Sequence, residues 1–167
     1  STMMSSTAKT ATQLLDRARS SLKLRDFETT ERLARQYLLE KPDSEEARLL
    51  LGTVYLRTDR AQEALSAYSS VLARSPANVE ALLNLGSVYL KLGKPSDAIN
   101  ALEHALDVDS TNAEILFTLG NAYRQTGNLK AAEMAYAKAI ELDPGHVLAY
   151  NNLGGVYRTM GDTEKAV

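Results

Sequence analysis

Two histidines, His104 and His146, are the side chains best suited to acid–base or metal chemistry in this sequence, which contains no cysteine. An imidazole needs partners to do such work. The one candidate set is Glu103, His104, Asp107 and Asp109, with Asp107 three residues along a helix from His104. A solvated polar helix face uses the same residue types, and that reading is preferred, so no metal is expected. Without cysteine, disulfides, thiolate zinc sites and a cysteine nucleophile are excluded. There is no Gly-x-x-x-x-Gly-Lys-Ser/Thr phosphate loop, no paired carboxylates and no Ser/His/Asp set. The expectation is therefore a chain without cofactor or catalytic residues, whose function lies in a surface.

The 167 residues are 24% charged with a net charge of -2, so no overall basic field would draw in nucleic acid. No apolar run reaches the roughly 18–20 residues that cross a bilayer, so direct membrane insertion is not expected. The opening Ser1-Thr2-Met3-Met4-Ser5-Ser6-Thr7 has neither basic residues nor an apolar core. It reads, over 1–10, as a disordered lead-in or an expression remnant. The compartment stays open: cytoplasmic is favoured, and periplasmic is the alternative if a signal has been removed.

The elements that position the surface are set by an internal period. Leu51-Gly52, Leu85-Gly86, Leu119-Gly120 and Leu153-Gly154 recur at a constant step of 34 residues. Tyr55, Tyr89, Tyr123 and Tyr157 keep that step, as do Ala64, Ala98, Ala132 and Ala166. Such a period marks stacked repeats. Within a unit the pattern is helical, because Leu82, Leu85 and Tyr89 share one helix face. Gly93, Gly127 and Gly161, with Asp59 in the same column, predict a helix end needing positive φ. A second amphipathic segment follows, Ala98-Ile99 to Ala105-Leu106, so each unit is a helix–turn–helix hairpin.

Pro42, Pro76 and Pro144 stop the second helices, and Ser44, Asn78, Asn112 and His146 stand two residues later as N-caps. His146 is the poor member of that column and predicts a looser junction. The glycine column is expected to let paired helices approach closely against the facing alanines, with the tyrosines filling the space beside the crossing.

The 34-residue spacing, Leu-Gly-x-x-Tyr, the mid-repeat alanine and the closing Ala139 and Pro144 resemble the tetratricopeptide repeat. The resemblance covers 11–167: a degenerate capping unit at 11–44, repeats at 45–78, 79–112 and 113–146, and a partial unit at 147–167. Leu14, Ala18, Phe27 and Pro42 fit the first unit, which lacks Leu-Gly-x-x-Tyr. In the last, Asp162-Thr163-Glu164-Lys165-Ala166 reads as the start of a second helix. The apolar face of its first helix is then left half covered, which implies a fragment of a longer array or cover by a second copy.

The resemblance implies an all-α, right-handed superhelical solenoid of antiparallel helix–turn–helix repeats whose first helices line a concave groove. On this register the groove carries Leu49, Leu83 and Phe117 in an apolar row ending at Asn151. Thr53, Ser87, Asn121 and Gly155 form a small or polar row. Leu56 and Leu90 are followed by Arg124 and Arg158, and Glu46, Glu80 and Glu114 form an acidic edge. Those glutamates also suit the first turn of a helix for structural reasons alone. The carboxylate clamp of chaperone-tail adaptors is not matched: Leu15, Leu49, Thr118 and Glu114 fall where its polar and basic residues belong, and Asn84 and Asn152 do not make it.

The expected function is a protein-interaction scaffold holding a partner peptide or helix in that groove. Two rivals stand beside it. One is the substrate-recruiting repeat region of a larger enzyme, such as a glycosyltransferase of the O-linked N-acetylglucosamine type. The other is structural self-association through the exposed C-terminal repeat.

Overall fold

The computed structural model describes the backbone of residues 2–166 and the side chains of residues 10–162. Among the described residues there are nine helices and no strand. In chain order these are α1 (Thr2–Lys23), α2 (Phe27–Glu40), α3 (Glu45–Arg57), α4 (Ala61–Arg74) and α5 (Val79–Lys91). They continue as α6 (Pro95–Val108), α7 (Ala113–Gln125), α8 (Leu129–Leu142) and α9 (Val147–Ala166). Packing divides the chain into two units, Ser1–Pro76 and Ala77–Val167. In the first, α1 to α4 pack in sequence and α1 also touches α3. In the second, α5 to α9 pack in sequence, and α7 touches both α5 and α9. Each unit is therefore a stack of hairpins with its first helices side by side, the all-α solenoid the period demands.

Start and stop signals act through specific atoms. Ser44 Oγ accepts the Ala47 amide at 3.1 Å, Asn78 Oδ1 accepts that of Ala81 at 2.9 Å, and Asn112 Oδ1 accepts those of Glu114 and Ile115. His146, the expected weak cap, caps as well: its Nδ1 accepts the Ala149 amide at 3.1 Å. A neutral ring nitrogen does there what an amide oxygen does elsewhere, and the buried ring leaves no loose junction. The first helices end on left-handed residues, Asp59 (φ 59), Gly93 (φ 71) and Gly127 (φ 81). Arg25 (φ 60) occupies the same column one period earlier, without glycine to announce it.

Two expectations are corrected at the ends. Gly161 does not turn the chain; it lies inside α9, which runs through to Ala166, so the expected second helix of the last unit is a continuation of the first. Within α9 the unbroken helix satisfies the backbone groups around Gly161. At the other end the backbone is helical from Thr2, not irregular through residue 10. The side chains before Thr10 lie outside the described residues.

The glycine column works differently from the expectation. A Cβ at Gly52 would lie 2.6 Å from the ring of Tyr68, one at Gly86 2.6 Å from Leu102, and one at Gly120 2.5 Å from the ring of Tyr136. The large second-helix side chain, rather than the alanine, fills the glycine's place, and Tyr68, Leu102 and Tyr136 are fully buried there. The alanines Ala64, Ala98 and Ala132 are fully buried too.

The first-helix tyrosines fasten one hairpin to the one before it. Arg35 donates to Tyr55 Oη at 2.6 Å, and Tyr123 Oη donates to Glu103 at 3.4 Å, two positions two periods apart. Burial pushes both phenols above their ordinary pKa, and the Glu103 carboxylate adds to the shift at Tyr123. Tyr157, in the same column, has no such cover and is 52% exposed. The expected core role therefore holds for Tyr55 and fails at Tyr157.

In the α1–α2 hairpin the column residues change: Ala18 stands for the glycine, Ala34 for the large side chain, Ser21 for the tyrosine and Thr30 for the alanine. All four are buried. Ser21 and Thr30 hydroxyls meet at 2.7 Å, with the Ala18 and Asp26 carbonyls also in reach at 2.8 and 2.9 Å. Buried polar groups are thus satisfied within the hairpin.

Candidate protein-interaction face

In the second unit, the buried positions of α5 are Ala81, Leu82, Leu85, Gly86 and Val88. Leu83, Ser87 and Leu90 fall off that face and are half-buried. Leu49, Thr53 and Leu56 occupy the matching positions of α3 in the first unit and are half-buried as well. Leu90, Lys91, Asn121, Arg124 and Gln125 line an open cleft of about 630 Å³ between α5 and α7. Lys91 and Gln125 were not singled out from the sequence; being the last residues of their helices, they carry no periodic signal.

Phe117 is less free than its row suggests. Its ring centroid lies 4.7 Å from that of His146 and 5.9 Å from that of Tyr136. It packs on the core cluster of Ala132, Tyr136 and Val156. The end of the row, Asn151, is exposed.

The polar row has an inward task. Thr53 Oγ1 lies 3.3 Å from Tyr68 Oη, and Tyr136 Oη donates to Asn121 Oδ1. Where the second helix carries Leu102, the row has Ser87, with no phenol to meet. Asn152 Nδ2 donates to the same Asn121 oxygen at 2.9 Å, so α7, α8 and α9 meet in one amide–phenol cluster. Burial raises the Tyr136 pKa, opposed by Asn152 and by the Arg124 guanidinium.

Both arginines of the row sit beside the glycine pair of α9. A Cβ at Gly155 would fall 2.6 Å from Nη2 of Arg124, so that guanidinium lies directly on the Gly155 backbone. Nη1 of Arg158 is 3.5 Å from where a Cβ at Gly154 would be. Both side chains are exposed.

The acidic edge is largely drawn into structure. Glu46 chelates the Arg19 guanidinium, one contact at 2.7 Å, and this holds its carboxyl below the usual range. Glu114 meets His146 Nε2 at 2.5 Å. Since Nδ1 of that ring accepts from a backbone amide, Nε2 is the protonated nitrogen and donates to Glu114. The residues around His104 also serve local structure: Glu103 accepts from Tyr123 and Asp109 from Asn112 at 3.1 Å, while His104 is exposed. Among the described residues no group of three or more His, Cys, Asp or Glu is arranged to hold a metal.

Three family models, each described as Tetratricopeptide repeat, match residues 46–111, 83–147 and 135–167. The chain belongs to the tetratricopeptide repeat family. No curated protein sequence matches it significantly. Among solved structures, a MamA protein is similar at 26% identity and a TM-score of 0.80, over 95% of this chain and 87% of that one. MamA from Desulfovibrio magneticus RS-1 is 22% identical with a TM-score of 0.83, covering 93% and 88%. The first tetratricopeptide domain of human RPAP3 is 21% identical with a TM-score of 0.71, covering 75% and 99%.

A tetratricopeptide solenoid is in general a protein-interaction scaffold, because stacked hairpins expose one continuous face of first helices. Among the described residues no helix is long and apolar enough to cross a membrane.

Proposed function

We propose that the first-helix face of this tetratricopeptide chain holds a short, partly apolar segment of a partner protein. The carrying observation is the placement of Leu83 and Leu90, half-buried apolar side chains off the buried face of α5, with Leu90 lining the open cleft. An amphipathic helix or extended peptide would cover them. Because a flexible segment loses entropy on ordering, an affinity in roughly the micromolar range is expected. Leu49, Thr53 and Leu56 form a surface of the same kind on α3, within the first unit.

The test is affinity capture from source-cell lysate, comparing the wild type with a Leu83→Ser/Leu90→Ser variant. Phe117 is left intact because its ring packs on the core. Partners lost with a variant that keeps its circular dichroism support the face. Partners that persist place binding elsewhere.

A second reading rests on a different observation. On α9, Val147 (67%), Tyr150 (51%) and Tyr157 (52%) are exposed along one side. A second copy could cover that side, and a light-scattering mass that rises with concentration would support it. A Tyr150→Lys/Tyr157→Lys variant would then stay monomeric.

A further inference from the structure

Row by row, the first-helix face changes chemistry toward α9. The position occupied by Leu56 and Leu90 becomes Arg124 and then Arg158, and the position of Thr53, Ser87 and Asn121 becomes Gly155. These two changes are spatially linked, since the missing Gly155 side chain is what lets the Arg124 guanidinium rest on α9. Arg158 projects beside Gly154, the neighbouring residue. Two guanidinium groups from adjacent first helices therefore flank one glycine pair.

Among the described residues neither guanidinium has a carboxylate in ion-pair range, whereas Arg19, Arg35, Arg60, Arg74, Lys130 and Lys138 each find one. A helix dipole accounts for Arg124, which lies in the last turn of α7. It does not account for Arg158, which lies well inside α9. The Asn121–Asn152–Tyr136 cluster lies beside Arg124, whose guanidinium also reaches the Tyr136 phenol, and both arginine side chains remain exposed.

We infer that Arg124 and Arg158 form a carboxylate-binding subsite, so that the peptide held on this face carries Asp or Glu next to its apolar anchor. This rests on the peptide-binding reading above and names the chemistry of its ligand. Guanidinium forks match carboxylates with paired charge-assisted hydrogen bonds. Leu83 and Leu90, one helix away on α5, take the apolar neighbour. Glu80 and Glu114, toward the opposite ends of α5 and α7, disfavour a polyanion such as nucleic acid lying across the whole face.

The test is selection of a phage-displayed random-peptide library on the wild type, on Arg124→Gln/Arg158→Gln and on Leu83→Ser/Leu90→Ser. The wild-type pool should be enriched in Asp or Glu beside an apolar residue. Against one synthesised acidic peptide from that pool, the Arg124→Gln/Arg158→Gln variant should bind about five- to tenfold more weakly. Added salt should weaken wild-type binding but not that of this variant. Wild-type peptides that need Leu83 and Leu90 but show no acidic enrichment, or acidic peptides indifferent to both arginines, would overturn the subsite and leave the face standing. Peptides indifferent to Leu83 and Leu90, or no binders at all, would overturn the face itself.

Discussion

In the α7–α8 hairpin, Gly120 leaves the space that the ring of Tyr136 fills, and the phenol reaches Asn121. In the α1–α2 hairpin the same two positions are Ala18 and Ala34, both fully buried, and the tyrosine–alanine pair beside them is replaced by Ser21 and Thr30 sharing a hydrogen bond. One hairpin crosses over a glycine and an aromatic ring, the other over two methyl groups and a pair of hydroxyls. The period therefore fixes where helices cross, while the side chains at the crossing can trade bulk and polarity provided each buried group is matched.

That contrast can be broken by mutation. Tyr136→Ala should cost about 3–5 kcal/mol in a denaturant melt, because a fully buried ring leaves a cavity. Ala34→Gly, at the matching position, should cost only about 1 kcal/mol. Gly120→Ala should cost about 1–3 kcal/mol from overpacking on Tyr136. If it stabilised instead, as glycine-to-alanine changes in open helices do, the glycine would not be needed by the ring. His146→Ala should cost about 0.5–2 kcal/mol through the lost cap, with His146→Asn recovering most of it. Arg25→Gly should gain about 0.5–1 kcal/mol by relieving a left-handed residue, whereas Gly127→Arg should lose stability.

The smallest expected effect is a pH dependence. Arg19 lowers the folded-state pKa of Glu46, so this pair stabilises the protein above the ordinary carboxylate range, and the contribution disappears as pH falls through the lowered pKa. Both side chains are substantially exposed, which limits the effect to below about 1 kcal/mol. Arg19→Gln should flatten that part of the stability–pH curve.

The hairpins were legible in the sequence because Leu-Gly-x-x-Tyr recurs in four units and Pro42, Pro76 and Pro144 keep its period. Less legible were features carried by unlike residues in like positions. Arg25 turns a helix where its column otherwise holds Asp or Gly, and His146 caps where Ser and Asn cap elsewhere. On the candidate face, Leu83, Leu90, Asn121 and Arg124 could be placed by register alone. The inward bond of Asn121, the packing of Phe117 on His146 and the seat of Arg124 on Gly155 depend on contacts across more than 30 residues or between helices, which no single helical pattern reveals. Gly161 shows the reverse: a residue in the turn column lies inside a continuous helix.

A partner peptide lying on the face of the first helices would touch the methyl groups of Leu83 and Leu90. Methyl NMR during titration with a library-selected peptide tests it most directly. The methyls of Leu83 and Leu90 should shift with occupancy, while those of buried Leu102 and of Met134, exposed on α8, stay in place. Shifts centred on Met134 and Val108, with Leu83 and Leu90 silent, would contradict it.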